Sequence, residues 1–395
     1  MSYDAPFKNI KVVDLSQGVA GPYSAMLLAQ YGANVIKVEP HGGDWSRFIS
    51  TRYEDHSAFS VPANLGKRSI ALDLKSDAGR EVALKLMAEA DVVMENFRPD
   101  IMERLGLGYE TAKAANPRLI FASASGWGAS GPYSKRPGQD LLIQARSGLG
   151  MITGTQSSPP TPVGVSAVDH HGAMVFAASI LAALVRQGRT GEGTKVEVDL
   201  MSAALDMQAE SLIAYFNGSP DRETRAPDNI GGWHYQAPYG FYRTSDGHIA
   251  ISIVAFDVLA EALECPELAD MTEDDGWNRR EAVAELVQGA VEGKTTDYWC
   301  ERFETLSIWH APVLGYDAVA ADPQVQYNGN LLQSELTSGE PITLLAHPAC
   351  FDGERPGVRL APQPIGAQSA EILSDLGYDD ATVSTMESSG AVALG

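Results

Sequence analysis

The sequence predicts an α/β protein: an open, doubly wound parallel sheet followed by a smaller α+β unit. Three observations carry this. Residues 9–39 read as one strand–turn–helix–strand unit. Strand-like and helical segments then alternate up to residue 216. Near 217 the texture changes to a Gly-, Pro-, Asp- and Arg-rich stretch that ends at Trp233. Alternation of β and α elements is the signature of a parallel sheet with crossover helices.

The elements follow in order. The apolar run at 9–16 is a buried strand. Gly18, Gly21 and Pro22 make a turn, with Pro22 suited to the first helical position. Tyr23–Tyr31 is a helix closed by Gly32, and Asn34–Glu39 is the next strand. Ser69–Leu74, Asp91–Glu95, Arg118–Ala124 and Lys195–Leu200 continue the strands. Ala78–Ala90, Pro99–Leu105 and Ser202–Phe216 are helical, and Ala173–Val185 is a small, apolar helical stretch. Beyond the loop at 217–233, Tyr239–Arg243 and His248–Val254 pair around the turn Ser245-Asp246-Gly247. Helices are expected at 257–264, 279–292 and 295–305. From about 330 the chain is loop-rich, with one amphipathic helix at 368–376. The expected domains are 1–220, with 330–395 returning to it, and 225–329.

At 395 residues the chain is long for one core. It is 44% hydrophobic and 20% charged, a globular composition. No uninterrupted apolar run reaches bilayer-spanning length. Met1–Pro6 has neither the basic start nor the apolar core of a signal peptide. Cys265, Cys300 and Cys350 are widely spaced and suggest neither a disulfide framework nor a zinc site. A cytoplasmic, reduced protein is expected. The net charge of −22 argues against nucleic acid and anionic membrane as partners. An anionic ligand would therefore need cations supplied locally.

Asp169 is the most informative residue. It precedes the apolar stretch at 173–185, where a carboxylate reads as an N-cap whose charge the helix start offsets. Adjacent His170 and His171 point about 100° apart on a helix and do not readily share a ligand. The Gly18/Gly21 turn lacks the G-x-G-x-x-G spacing of a dinucleotide site, although Glu39 ends the second strand where a ribose-binding acid would sit. Asn96 and Arg98 fall at the carboxyl end of a strand, where open α/β sheets bind ligands. Lys67, Arg68 and Lys75 are further sources of positive charge. Ser125–Pro132 is a glycine-rich turn that permits close backbone approach. There is no G-x-S-x-G elbow and no Walker loop.

In this order the segments resemble the family III CoA-transferases, the CaiB/BaiF family of formyl-CoA and carnitine CoA-transferases. The pieces are Val13–Ser16 with Gly21-Pro22, Gly32–Glu39, Asn64–Asp73, Glu95–Pro99, Leu105–Tyr109, Asn116–Phe121, Gly126–Tyr133, Asp169 with Ile180–Leu184, and Arg189–Gly193. The resemblance covers almost the whole chain. It implies a large Rossmann-like domain, a small inserted α+β domain, and an interlocked homodimer with its active site between the domains. It implies that Asp169 is the nucleophile, and that Gly231 and Gly232 lie where some members carry a glycine-rich lid. It implies that Leu72, Lys75, Asn96, Arg98 and Arg104 hold coenzyme A, which enters as substrate with no tightly bound cofactor or metal. The expected partners are an acyl-CoA, with succinyl-CoA as the guess for donor, and a small carboxylic acid.

Two departures matter. Formyl-CoA transferases carry glutamine in place of Val19 and arginine in place of Pro40, which argues against formyl-CoA and oxalate. The runner-up is the 2-methylacyl-CoA racemase branch, which shares the fold and aspartate. Its partner base is a histidine in Gly-His-Asp, and this chain reads Gly138-Gln139-Asp140. Glutamine does not carry a proton to and from carbon; Gln139 is instead expected to orient a substrate carboxylate or Asp169. Asp140 reads equally as a supporting acid or a helix cap. A non-catalytic acyl-CoA-binding protein is the third reading.

Overall fold

The computed structural model describes residues 5–218 and 223–395. Met1–Asp4 and, within the expected loop at 217–233, residues 219–222 lie outside the described residues. The chain divides into two compact units. One contains Met1–Ile143, Ser166–Met207 and Pro323–Gly395; the other contains Gln144–Val165 and Gln208–Asp322. This differs from the expected boundaries, because 144–165 and 208–218 group with the second unit and 323–329 with the first.

The first unit is built on a seven-stranded sheet. Its strands are β1 (Lys11–Asp14), β2 (Asn34–Glu39), β3 (Lys67–Leu72), β4 (Val92–Glu95), β5 (Ile120–Ser125), β6 (Thr194–Asp199) and, much later in the chain, the edge strand Val392–Ala393. The six are parallel, in the order β3-β2-β1-β4-β5-β6, and the edge strand joins β3 antiparallel. The order reverses between β1 and β4. That crevice, outside the carboxyl ends of those two strands, is where open α/β sheets bind ligands.

Helix α1 (Ala20–Gln30) leaves β1, and α2 (Asp77–Glu89) leaves β3. α1 begins two residues before Pro22, so the proline occupies the third helical position. It costs no hydrogen bond there, because first-turn N–H groups have no helical acceptor. α3 (Asp140–Arg146) is short. α4 (Ala167–Thr190) is longer than the expected stretch 173–185. By length and composition alone α4 is long and apolar enough to cross a membrane, which counting only uninterrupted apolar residues missed. In this fold Phe176 and Ile180 of α4 pack in one core cluster with Leu28 of α1 and Ile120 of β5. The expected helix 202–216 is two helices, Leu200–Asp206 and Ala209–Phe216. The tail, expected to be loop-rich, also forms the hairpin Leu331–Glu335/Pro341–Leu345 and a helix at Asp380–Ser388.

The second unit carries a three-stranded antiparallel sheet of Gly240–Arg243, His248–Ile251 and His310–Pro312. Helices Phe256–Leu263, Arg280–Val291 and Thr296–Thr305 cover it, and Tyr242, Leu259, Val287 and Phe303 fill its core.

A charged cluster lies inside the first unit. Asp14, Glu39, Asp44, Lys37, Arg47 and Lys67 are each at most 2% exposed. Three acids meet three cations. Lys67 Nζ donates to Asp14 Oδ2 at 2.7 Å and Lys37 Nζ to Asp44 Oδ2 at 3.0 Å. Arg47 forks onto both oxygens of Glu39 at 2.7 Å each. Burial works to raise the Asp14 carboxyl, but Lys37 and Lys67 outweigh it and hold the pKa below its usual value. Burial pulls Lys67 down to about 8 despite the opposing pull of Asp14. Lys67 and Glu39 are therefore internal struts, neither a ligand-facing cation nor a ribose-binding acid.

Breaking a buried pair from one side leaves an uncompensated charge. Lys67→Met should therefore destabilise the protein by about 3–5 kcal/mol in urea unfolding. A loss below about 1 kcal/mol would show that Asp14 does not need Lys67.

Candidate active site

The buried charges converge on the turn between β1 and α1. Lys37 Nζ donates to the Ser16 carbonyl, and Lys67 Nζ to the Pro22 carbonyl at 2.7 Å. The Gly18 N–H donates to both Asp44 oxygens, at 3.0 and 3.1 Å. Gly18 sits at φ +82°, and a side chain there would strike the Trp45 ring. Glycine is required on both counts. From the other side of the switch point, Asn96 closes a two-way bond: its Oδ1 accepts the Gln17 N–H at 2.8 Å and its Nδ2 donates to the Gln17 carbonyl at 2.6 Å. The Asn96 amide thus shapes the turn and keeps a second N–H and a second lone pair beside the cavity.

Two cavities flank this turn and share Gln17 and Phe97 as lining residues. The first, about 640 Å³, is walled by Leu72, Leu74, Ile101 and Leu105 and edged by Lys75 and Arg104. The second, about 680 Å³, holds Asn96, Arg98, Arg136, Gln139, Asp140 and Asp169. Every lining residue of both belongs to the first unit. Leu72, Lys75 and Arg104 thus meet at one cavity, and Asn96 and Arg98 at the other. Lys75, Arg98 and Arg104 are exposed and form no ion pair among the described residues. These are local cations in a strongly acidic protein.

Asp169 lies in the first turn of α4, three residues after the N-cap Ser166. It is not the N-cap. Its N–H donates to Asp140 Oδ1 at 3.0 Å. Asp140 is the first residue of α3, so the acid at a helix start and the supporting acid are the same residue. Burial, with the negative charge of Asp140 added, pushes the Asp169 carboxyl up to about 7. It is therefore not fully ionised at neutral pH, whereas an ordinary aspartate, with a pKa of about 3.9, would be. Asp140 also occupies the Asp169 N–H, which is thereby withdrawn as an oxyanion donor.

Gln139 and Asp140 are presented by the loop that follows β5. Its ends touch at Gly126 and Gly138, where a methyl group on either would run into the backbone of the other. Trp127 Nε1 donates across the loop to the Pro137 carbonyl at 3.0 Å. The Gln139 carbonyl accepts the N–H groups of Leu142 and Ile143, starting α3, and its exposed side chain lines the second cavity. Val19 lines that cavity and Pro40 the first, so both departures from the formyl-CoA transferase pattern fall on cavity walls.

The two histidines diverge as expected. His171 bonds Asp206 at 2.8 Å, while the His170 ring meets Tyr23 edge-on at 4.7 Å. Gly231 and Gly232 lie in the second unit, against the rings of Tyr239 and Tyr235. Among the described residues no three His, Cys, Asp or Glu side chains come together as a metal site.

The family model described as CoA-transferase family III matches residues 7–369. The chain belongs to CoA-transferase family III. Among curated members it is 34% identical to succinyl-CoA:mesaconate CoA-transferase of Haloarcula hispanica, over 84% of this chain and 91% of that one. It is 32% identical to acetyl-CoA:oxalate CoA-transferase of Acetobacter aceti, over 89% of this chain and 92% of that one. A CaiB/BaiF family protein from Brucella suis superposes with a TM-score of 0.81 at 30% identity, covering 94% of this chain and all of that one.

The site of this family III transferase also contains residues that sequence reasoning passed over. Gln17, Trp45 and Arg136 line the second cavity, and Asp44 anchors Gly18. Only Arg136, a cation beside the Gly-Gln-Asp segment, carried a usable signal.

A carboxyl whose folded pKa is raised opposes folding once it ionises. That penalty is absent below the unfolded value near 4 and complete above about 7. Asp169→Asn should therefore unfold at a higher temperature than the parent at pH 8, with the gap closing toward pH 4. An equal gap at both pH values would contradict the buried, repelled carboxylate.

Proposed function

We propose that this enzyme moves CoA from an acyl-CoA, succinyl-CoA being the first donor to test, to a small dicarboxylic acid, with Asp169 as the covalent nucleophile. The observation that carries the reading is a half-buried carboxylate in a cavity edged by unpaired cations, beside the switch point of the sheet. Relatives named for succinyl-CoA, mesaconate and oxalate support the substrate class.

The Asp169 carboxylate attacks the thioester carbonyl, giving an acyl-aspartyl anhydride and CoA thiolate. The thiolate attacks the aspartyl carbonyl, releases the first acid and leaves an aspartyl-CoA thioester. The incoming carboxylate attacks that thioester, forming a second anhydride and freeing the thiolate. Attack of the thiolate on the new acyl carbonyl yields the product thioester and restores Asp169. The thioester bond energy is kept throughout, so ATP is not consumed. Lys75 and Arg104 at the first cavity, with Arg98 at the second, suit the phosphates of CoA. Asn96 acts by holding the turn that joins the two cavities. Gln139 is suited to orienting the entering carboxylate. A homodimer belongs to the same reading.

Purified protein should exchange CoA between succinyl-CoA and a free dicarboxylate without ATP, and Asp169→Ala should abolish exchange while retaining the fold by circular dichroism. Full transfer by that variant would refute the mechanism. Incorporation of α-deuterium into a 2-methylacyl-CoA, with no acceptor acid present, would instead indicate racemase chemistry.

The nucleophile must be ionised, so kcat/KM for the acyl-CoA should rise with pH, reach half its maximum near 7 and level off above that. Asp140→Asn keeps an oxygen for the Asp169 N–H but removes the repelling charge. It should move the acid limb to lower pH. An unmoved limb would mean that Asp140 does not set it.

A further inference from the structure

We propose that Arg136 sets acid specificity: its guanidinium holds the distal carboxylate of a dicarboxylic acid whose other carboxylate reacts at Asp169. The inference rests on the transferase reading above and assigns its substrate class to one residue.

Arg136 and Asp169 line the same cavity. The Arg136 guanidinium lies over the Tyr133 ring, 4.3 Å from its centre, and makes no ion pair among the described residues. Its loop is pinned by the Gly126–Gly138 contact and the Trp127–Pro137 bond. The guanidinium is therefore held in place while its charge is left for a ligand.

Asp169 is shifted upward by burial and by Asp140, with no cation pulling it back. Arg136 and Asp169 line one cavity without pairing with each other, so a ligand in that cavity can meet both groups. Apolar Val19, Phe59, Leu141 and Leu200 line the same cavity and suit a methylene spacer. The second carboxylate of a diacid, entering a protein of net charge −22, needs such a cation. An arginine fork matches a carboxylate with two parallel bonds.

Arg98 is the other cation of this cavity. It also borders a smaller cavity of about 190 Å³ lined by the acids Glu95, Asp100, Glu103, Glu197 and Asp199 and by Lys195. The transferase reading gives Arg98 to the phosphates of CoA, which leaves Arg136 for the incoming carboxylate.

The test is a competition. Glutarate and valerate, equal in carbon count, are mixed with enzyme and succinyl-CoA, and the ratio of glutaryl-CoA to valeryl-CoA is read by mass spectrometry. Both acids compete for the same enzyme-bound CoA, so the ratio is independent of donor affinity. The parent should favour glutaryl-CoA strongly. Arg136→Gln should cut the ratio about 10- to 100-fold, as expected for loss of a charge-assisted fork. Arg136→Lys should fall between, keeping the charge but losing the fork. An unchanged ratio in Arg136→Gln overturns the inference. So does loss of both products together, which would assign Arg136 to the CoA moiety common to both. Equal use of the two acids by the parent overturns it as well. A parent that forms neither thioester would instead defeat the transferase reading itself.

Discussion

The site depends on a set of six charges buried beneath the turn after β1. Asp14, Glu39 and Asp44 are matched by Lys37, Arg47 and Lys67, all of them essentially sealed from solvent. Charges so placed are costly unless paired and bonded, and these bonds extend to backbone atoms of the turn. Lys37 takes the Ser16 carbonyl, Lys67 takes that of Pro22, and Asp44 takes the Gly18 N–H. The turn is fixed from below by the network and from the side by Asn96. Both cavities are shaped around it. The arrangement trades stability for a fixed geometry at the switch point, and apolar residues in place of these ions would not hold the turn.

A second constraint acts at Asp169 itself. The same carboxylate, Asp140, both anchors its N–H and repels its charge. Anchoring fixes where the carboxylate stands. In the proposed mechanism, repulsion and burial would make its anion reactive, since a poorly solvated carboxylate gains more by attacking an electrophile than a hydrated one does. A nucleophile of that kind would need no neighbouring base, in keeping with glutamine rather than histidine in the Gly138-Gln139-Asp140 segment.

The fold was largely legible because its strands are short apolar runs separated by glycine and proline turns. Asn34–Glu39 matched to the residue. The helix at 202–216 was misread because Met207 and Gln208 interrupt it without any glycine or proline. The tail hairpin was missed because Leu331–Glu335 has no strong alternation. At the site, Asp169, Asn96 and Arg98 were legible by their place at element ends. Their uses were not. Lys67 reads in sequence as a source of positive charge for a ligand and Glu39 as an acid at a strand end, and both are buried struts in space. Asn96 reads as a ligand contact in sequence and also clasps the Gln17 backbone while lining the second cavity. The Asp140–Asp169 bond joins residues 29 positions apart, and no local pattern reports it.

Covalent chemistry at Asp169 is the central claim, and intact-protein mass spectrometry tests it most directly. Protein incubated with succinyl-CoA and no acceptor should gain the mass of a CoA thioester. Peptide mapping should place that adduct on Asp169, hydroxylamine should remove it, and Asp169→Asn should never acquire it. A parent protein that turns over acyl-CoA with no adduct on Asp169, or with the adduct on another carboxylate, would contradict the account.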